Sequence, residues 1–194
     1  MGQLTLPLFP LKTVLFPGGL LPLRVFEPRY LEMVCECLTR DAPFGICLIR
    51  SGSEVGKAAE TFPVGTMARI SDWGRGPDGL LAVTARGEQR FRIHSVRVGS
   101  TQLVTARVSV LPVEPEEFVP PHLRRLPDLL ERIMEQAGPP YAELPRYPED
   151  ATWVGGRLAE LLPLPLREKQ ELLELTDPLE RLERLYERLP GLIR

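Results

Sequence analysis

Two periodicities divide the chain. In the first part apolar and polar positions alternate, as in strands that bury one face, and in the last part apolar residues recur every three or four positions, as on one side of a helix. At the start, Leu4, Leu6 and Leu8 alternate with Thr5, Pro7 and Phe9. After Pro17-Gly18-Gly19 the alternation resumes with Leu21, Leu23 and Val25 against Pro22, Arg24 and Phe26, so two strands are expected. From Pro28 the period lengthens, and Tyr30, Leu31, Val34 and Leu38 fall on one helical face. Pro28 suits a first helical turn and Glu27 the positive helix end. The change of period falls within Phe26-Glu27-Pro28-Arg29-Tyr30.

Phe44 to Arg50 is a short apolar run expected as a buried strand, residues 51–63 read as a loop, and Val64 to Asp72 alternates as a half-buried strand. Trp73 to Gly79 is turn-rich and contains a literal G-x-G-x-x-G at Gly74, Gly76 and Gly79. That pattern cradles a dinucleotide only where a strand leads into a helix. Here Pro77-Asp78-Gly79 leads into another alternating segment, Leu80 to Arg86, so a hairpin is expected instead. Gly87 should bend or bulge the chain before further strands at Phe91 to Val98 and Leu103 to Val110. About seven short strands joined by Gly-rich turns favour a small, mostly antiparallel barrel with one early helix.

Residues 112–121, PVEPEEFVPP, form a Pro-rich acidic connector. The remaining pattern is helical. Leu123, Leu126, Leu130, Ile133 and Ala137 share a face, with Pro127 marking a start or a kink, and Gly138-Pro139-Pro140 ends the helix. Asp150 is expected to cap a helix bearing Trp153, Val154, Leu158, Leu161 and Leu162, which Gly155-Gly156 weakens unless a close approach needs them. A helix over Leu166 to Leu175 follows. Asp177 and Pro178 then open a last one, with Leu179, Leu182, Leu185, Tyr186 and Leu189 inward and Glu180, Arg184 and Arg188 outward. The expected organisation is α+β, with a barrel subdomain over residues 1–111, the connector over 112–121 and a helical subdomain over 122–194.

Composition adds boundaries to this picture. The chain of 194 residues is 43% hydrophobic and able to bury a core without staples. No run reaches the roughly 18 apolar residues of a membrane span, and Pro7, Pro10 and Lys12 interrupt any leader, so a cytoplasmic protein without membrane contact is expected. Cys35, Cys37 and Cys47 are an odd set, read as reduced thiols. Residues two apart on a helix point about 200° from each other, so Cys35 and Cys37 do not suit one metal ion, and neither metal nor cofactor is expected. Net charge is +4 over residues 1–110 and −6 over residues 111–194.

Little convergent chemistry emerges. His94 lies within an expected strand and His122 beside Pro121, and the nucleophile elbow, the zinc-protease helix and the phosphate loop are all missing. Glu114, Glu116 and Glu117 read as a solvated charge run. Arg69, Arg75, Arg86, Arg90, Arg92, Arg97 and Arg107 make residues 64–110 basic, which keeps RNA binding as an alternative, although a pI of about 5.8 disfavours nucleic acid. A small-molecule hydrolase site is a further alternative.

Three stretches together carry a resemblance: LPLFPLKTVLFPGGLLPLRVFEPRYLEMV near the start, VGTMARI and LLAVTARGEQRFRI in the middle, and LPLPLREKQELLELTDPLERLERL near the end. In order and spacing they resemble the N-terminal, substrate-binding domain of the ATP-dependent Lon proteases. The Phe26 to Tyr30 corner is most similar to the branch in which that domain stands alone as a small bacterial protein. The resemblance implies a pseudouridine-synthase-and-archaeosine-like (PUA-like) barrel followed by helices, and a role in binding protein substrates. With nothing after Arg194, it implies neither ATP hydrolysis nor Ser-Lys peptide cleavage. The expected function is therefore a non-enzymatic module for unfolded or client polypeptides, acting as an adaptor to a separate protease or chaperone. Its candidate surface is Phe26, Glu27, Arg29 and Tyr30 with Trp73, whose aromatic and guanidinium groups suit protein contacts. Oligomeric state is left open.

Overall fold

Strand β1 (Leu4–Leu11) is buried on both faces towards its C-terminal end and has a different partner along each half. It pairs antiparallel with β7 (Val104–Val110) over Leu4 to Leu8, and parallel with β3 (Phe44–Ser51) over Leu8 to Leu11. The computed structural model describes residues 3–139 and 141–192. In it β6 (Leu81–Val98) and β5 (Val64–Arg75) continue the sheet in the order β1-β7-β6-β5-β3, and the β1–β3 pairing closes that run into a five-stranded barrel. Outside the ring, β2 (Leu20–Val25) adds to β6 and β4 (Glu60–Thr61) adds to β3. Every pairing but β1–β3 is antiparallel.

Because side chains alternate along a strand, β1 feeds two cores. Leu6 and Leu8 enter one with Cys47, Met67, Phe91 and Val108. Phe9 and Leu11 enter the other, which helix α1 (Pro28–Arg40) covers with Tyr30, Met33, Val34 and Cys37. Gly45 is required between them, since a Cβ there would lie 2.7 Å from both Leu8 Cδ2 and Phe91 Cζ. The buried stripe of α1 differs from the expected one. Leu38 is exposed and Leu31 only half-buried, while Met33 and Cys37 face the core, so the stripe is rotated by about one position.

The strand boundaries also differ in informative ways. The two strands expected over residues 80–86 and 91–98 are one 18-residue strand, β6, with a bulge between Gly87 and Arg90. The bulge turns Val83 and Ala85 towards one core and Phe91 towards the other. The segment read as a loop over 51–63 contains β4. Trp73 is in β5, opposite Val83, rather than in the turn; the turn itself is Gly76 to Leu80, with Gly76 N–H donating to Leu80 O and Gly79 at φ 81°. One extra residue at Ser71 inverts the alternation of β5, which brings Trp73 instead of Asp72 to the face of Val83.

The chain divides between Pro112 and Val113 into two compact units. The second contains α2 (Arg125–Ala137), α3 (Ala151–Leu161), α4 (Leu166–Glu174) and α5 (Pro178–Leu192). Pro127 sits in the first turn of α2, where no intrahelical donor is lost. Asp150 Oδ1 caps α3 by accepting from Thr152 N–H at 2.8 Å and Trp153 N–H at 3.2 Å, and Asp177 Oδ1 accepts from Leu179 N–H at 2.8 Å at the start of α5. Tyr186, expected inward on α5, is 38% exposed. Arg181 is buried on that helix together with Leu182, Leu185 and Leu189.

Arg181 accounts for Gly155 of α3 and for Glu114 of the segment before α2. A Cβ at Gly155 would meet Arg181 Cδ at 3.2 Å, so the small residue leaves room for the aliphatic stem of Arg181. Its guanidinium is held by both Glu114 oxygens, Nη1 to Oε2 at 2.7 Å and Nη2 to Oε1 at 2.6 Å, and donates to the carbonyls of Leu172 and Leu175. Phe118 forms a β-bridge with Asp150 beside it. The Pro-rich segment is thus strapped onto the helices. Removing one partner of a buried pair leaves the other charge uncompensated, so Arg181→Ala should destabilise by about 3–5 kcal/mol, read from urea unfolding followed by far-ultraviolet circular dichroism.

Candidate functional site

The corner between β2 and α1 is built around a buried cation. Arg29 is only 5% exposed. Its Nη1 donates to Gln102 O at 2.9 Å, and its Nη2 lies 3.0 Å from Glu27 Oε2 and 3.4 Å from Glu54 O. The guanidinium also lies 4.6 Å from the centroid of the Tyr30 ring, whose ring stacks on Phe9 at 4.1 Å with 19° between the planes. Glu27 bonds no amide of its own helix; its carboxylate is turned to Arg29 and accepts from Gly56 N–H at 3.3 Å. Gln102, itself at φ 66°, accepts from Ala58 N–H at 3.3 Å through its side chain. One guanidinium therefore ties the start of α1 to the β6–β7 turn and to the loop between β3 and β4. Such charge-assisted bonds are the strong class, and they make these loop positions as fixed as the helix.

Beside this corner lies a cavity of about 230 Å³. Phe9, Leu11, Leu23, Val25 and Tyr30 give it apolar walls, and Phe26 and Val55, each 53% exposed, stand at its rim. Glu27 and Glu54 bring carboxylates to the same lining. Glu54 also accepts from Lys12 N–H. The structure therefore brings Phe26, Glu27 and Tyr30 together at one cavity and places Arg29 behind it as a support. Trp73, 62% exposed, is not in that lining; it sits two strands from β2 in the same sheet, at roughly 10 Å by ordinary strand spacing. Glu54, Val55 and Gln102 were invisible to sequence reasoning, because each belongs to a loop whose local pattern carries no signal of a partner so distant in the chain.

Burial pushes the Cys47 thiol up to about 12, and Cys37 is raised by burial and then by Glu36, against a lowering by Arg69. Cys35 is exposed and Cys37 buried, so they occupy different sides of α1. His94 pairs with Ser109 at 2.9 Å and His122 with Glu183 at 2.6 Å, both at the surface. The arginines of residues 64–110 do not form one free set: Arg90 is buried, and Arg69 lies 2.9 Å from both Asp41 and Glu88. In the second unit Glu116 and Glu117 join Glu149 and Asp150 along a groove of about 530 Å³ beside the exposed Phe118 and Tyr147. No helix among the described residues is long and apolar enough to cross a membrane.

The profile described as the ATP-dependent protease La (LON) substrate-binding domain matches residues 5–190. Lon protease of Dictyoglomus thermophilum is 28% identical over 193 residues, covering 93% of this chain and 23% of that protein. Protein cereblon of Danio rerio is 31% identical over 111 residues, covering 55% of this chain and 25% of that protein. The chain thus spans about a quarter of the length of these relatives. Among solved structures, the Lon N-terminal domain protein from Xanthomonas campestris superposes with a TM-score of 0.78 at 38% identity, covering 95% of this chain and 98% of that one. The N-terminal domain of Mycobacterium avium complex Lon protease, at 19% identity and a TM-score of 0.67 over 94% of this chain and 96% of that one, shares the fold.

Tyr30 gives a direct handle on the wall of the cavity. Burial raises its pKa above the ordinary 10.0, Arg29 lowers it, and Glu27 and Glu54 raise it. The folded state then keeps a proton that the unfolded chain releases, so its contribution is fully present below the unfolded pKa and is lost as pH rises through the folded one. Urea unfolding from about pH 9 upwards should show wild type losing stability relative to Tyr30→Phe once pH passes about 10. Parallel curves for the two proteins would remove the assigned environment.

Proposed function

The chain belongs to the family of ATP-dependent protease La (Lon) substrate-binding domains, and on that premise we propose that it is a non-enzymatic module binding unfolded segments of client proteins. It holds them at the corner of Phe26, Glu27, Arg29 and Tyr30 with Trp73, and hands them in the cytoplasm to a separate protease or chaperone. The observation that carries this reading is the cavity of about 230 Å³ with apolar walls and two half-exposed apolar side chains at its mouth. An apolar, concave surface with few fixed polar groups recognises side-chain bulk rather than a particular functional group, which suits varied clients.

The roles divide by burial. Phe26 and Trp73 are the exposed aromatics and make the contacts, while Arg29 and Tyr30, each 5% exposed, hold the wall in place. Glu27 fixes Arg29 and contributes negative charge to the rim. The test is binding of fluorescein-labelled β-casein, an unfolded polypeptide, followed by anisotropy. Phe26→Ala and Trp73→Ala should each weaken binding by about 1–2 kcal/mol, roughly 5- to 30-fold, with unchanged circular dichroism because both side chains are exposed. Wild-type affinity in both variants, or no binding of casein by the wild type, would overturn the proposal.

A further inference from the structure

Among the described residues β2 is the one long strand with a single partner, and its geometry selects what can cover it. It pairs with β6 alone, from Leu20 opposite Arg86 to Val25 opposite Leu81 without a register shift. Just before it, Gly87 N–H donates to Gly19 O, which sets the phase of this antiparallel ladder: Leu21, Leu23 and Val25 exchange bonds with β6, and Pro22 and Arg24 do not. Pro22 confirms that phase, because a residue without an N–H is tolerated where the nitrogen faces away from the ladder. Between Leu21 and Val25 the outer edge therefore presents the carbonyls of Pro22 and Arg24 and the Arg24 N–H.

That edge adjoins the cavity. Pro22 to Glu27 line it as consecutive residues, which happens when a strand borders a groove along its length. An occupant that satisfies the edge must be extended backbone, and its alternate side chains then fall towards the apolar walls. The cavity has room for one large aliphatic or aromatic side chain. Its charges are unequal: Arg24 is paired with Asp78 at 2.7 Å and Glu27 with Arg29 at 3.0 Å, whereas the Glu54 carboxylate accepts from the Lys12 amide and has no ion-pair partner among the described residues. A cation beside the apolar residue complements Glu54.

We propose that an extended client segment, carrying a large apolar residue next to a lysine or arginine, docks as an added strand on the outer edge of β2 with its apolar side chain in the cavity. This rests on the polypeptide-binding reading and specifies its mode. Because Pro22 has no N–H, pairing along this stretch is short and reversible. Pro22 and the charged Arg24 also guard the edge against uncontrolled pairing between copies.

The probe is a fluorescein-labelled peptide alternating threonine with leucine and phenylalanine and carrying a lysine, with β-casein in parallel. Arg24→Pro deletes the outward donor without breaking the ladder to β6, whereas Arg24→Ala keeps it. The expected result is peptide binding at least about fivefold weaker for Arg24→Pro than for Arg24→Ala, two variants that share the loss of the side chain and differ in the amide. In wild type, the Arg24 amide should gain hydrogen-exchange protection when peptide is added, a measurement that decides the matter even if Arg24→Pro fails to fold. Glu54→Gln should weaken the lysine peptide more than its methionine counterpart. If peptide and casein bind while the Arg24 amide stays unprotected, strand addition is overturned and the polypeptide-binding reading stands. If neither probe binds, both are overturned.

Discussion

The double use of β1 is the constraint on which the barrel depends. Its two faces feed separate cores, which is why Leu8 to Leu11 are continuously buried. Its parallel pairing with β3 closes five strands into a ring and forces the intervening chain, β2 and α1, to the outside. There α1 is held by Tyr30, Met33 and Val34 against the outer core, and β2 keeps one edge free. The candidate site follows from closure: the ring has no room for a sixth strand, so the excluded one borders a groove.

Arg29 makes that groove durable. Removing one partner of a buried ion pair typically costs about 3–5 kcal/mol, so the loops that satisfy this guanidinium are locked to its position. Gln102 and Glu54 come from segments far apart in the chain, and both meet the guanidinium through backbone carbonyls. Rigid walls reduce the ordering cost of binding, while the client supplies the flexibility. The second unit repeats the device with Arg181, Glu114 and the glycine-bearing α3. In each unit a buried arginine joins a helix to a segment that local pattern alone would leave loose.

Much of the fold was legible because the two periodicities are strong and their punctuation is clear. Pro17-Gly18-Gly19, Asp150 and Asp177-Pro178 mark boundaries by local chemistry, and the structure has elements starting or ending there. The misread positions share a cause. Met33 and Cys37 took the place of Leu38 because the sheet beneath α1 chose the buried stripe, and Trp73 moved into β5 because a bulge at Ser71 depends on pairing with β6. Tyr186 was read inward because it looks apolar, and nothing local marked Arg181 as buried before a carboxylate could be placed beside it.

At the candidate site the same division holds. The corner Phe26 to Tyr30 stood out by itself, since a change from period two to period three or four is a local property of the chain. What each residue does there was decided by partners from elsewhere: Arg29 is a buried brace because two carbonyls and Glu27 converge on it, and Phe26 is a rim residue because β2 lies outside the ring. Sequence by itself determined which segments are strand or helix and where the chain turns, because these rest on neighbours within a few residues. Tertiary structure alone decided the free edge, the cavity and the pairing of charges, because these rest on contacts whose members the sequence separates widely.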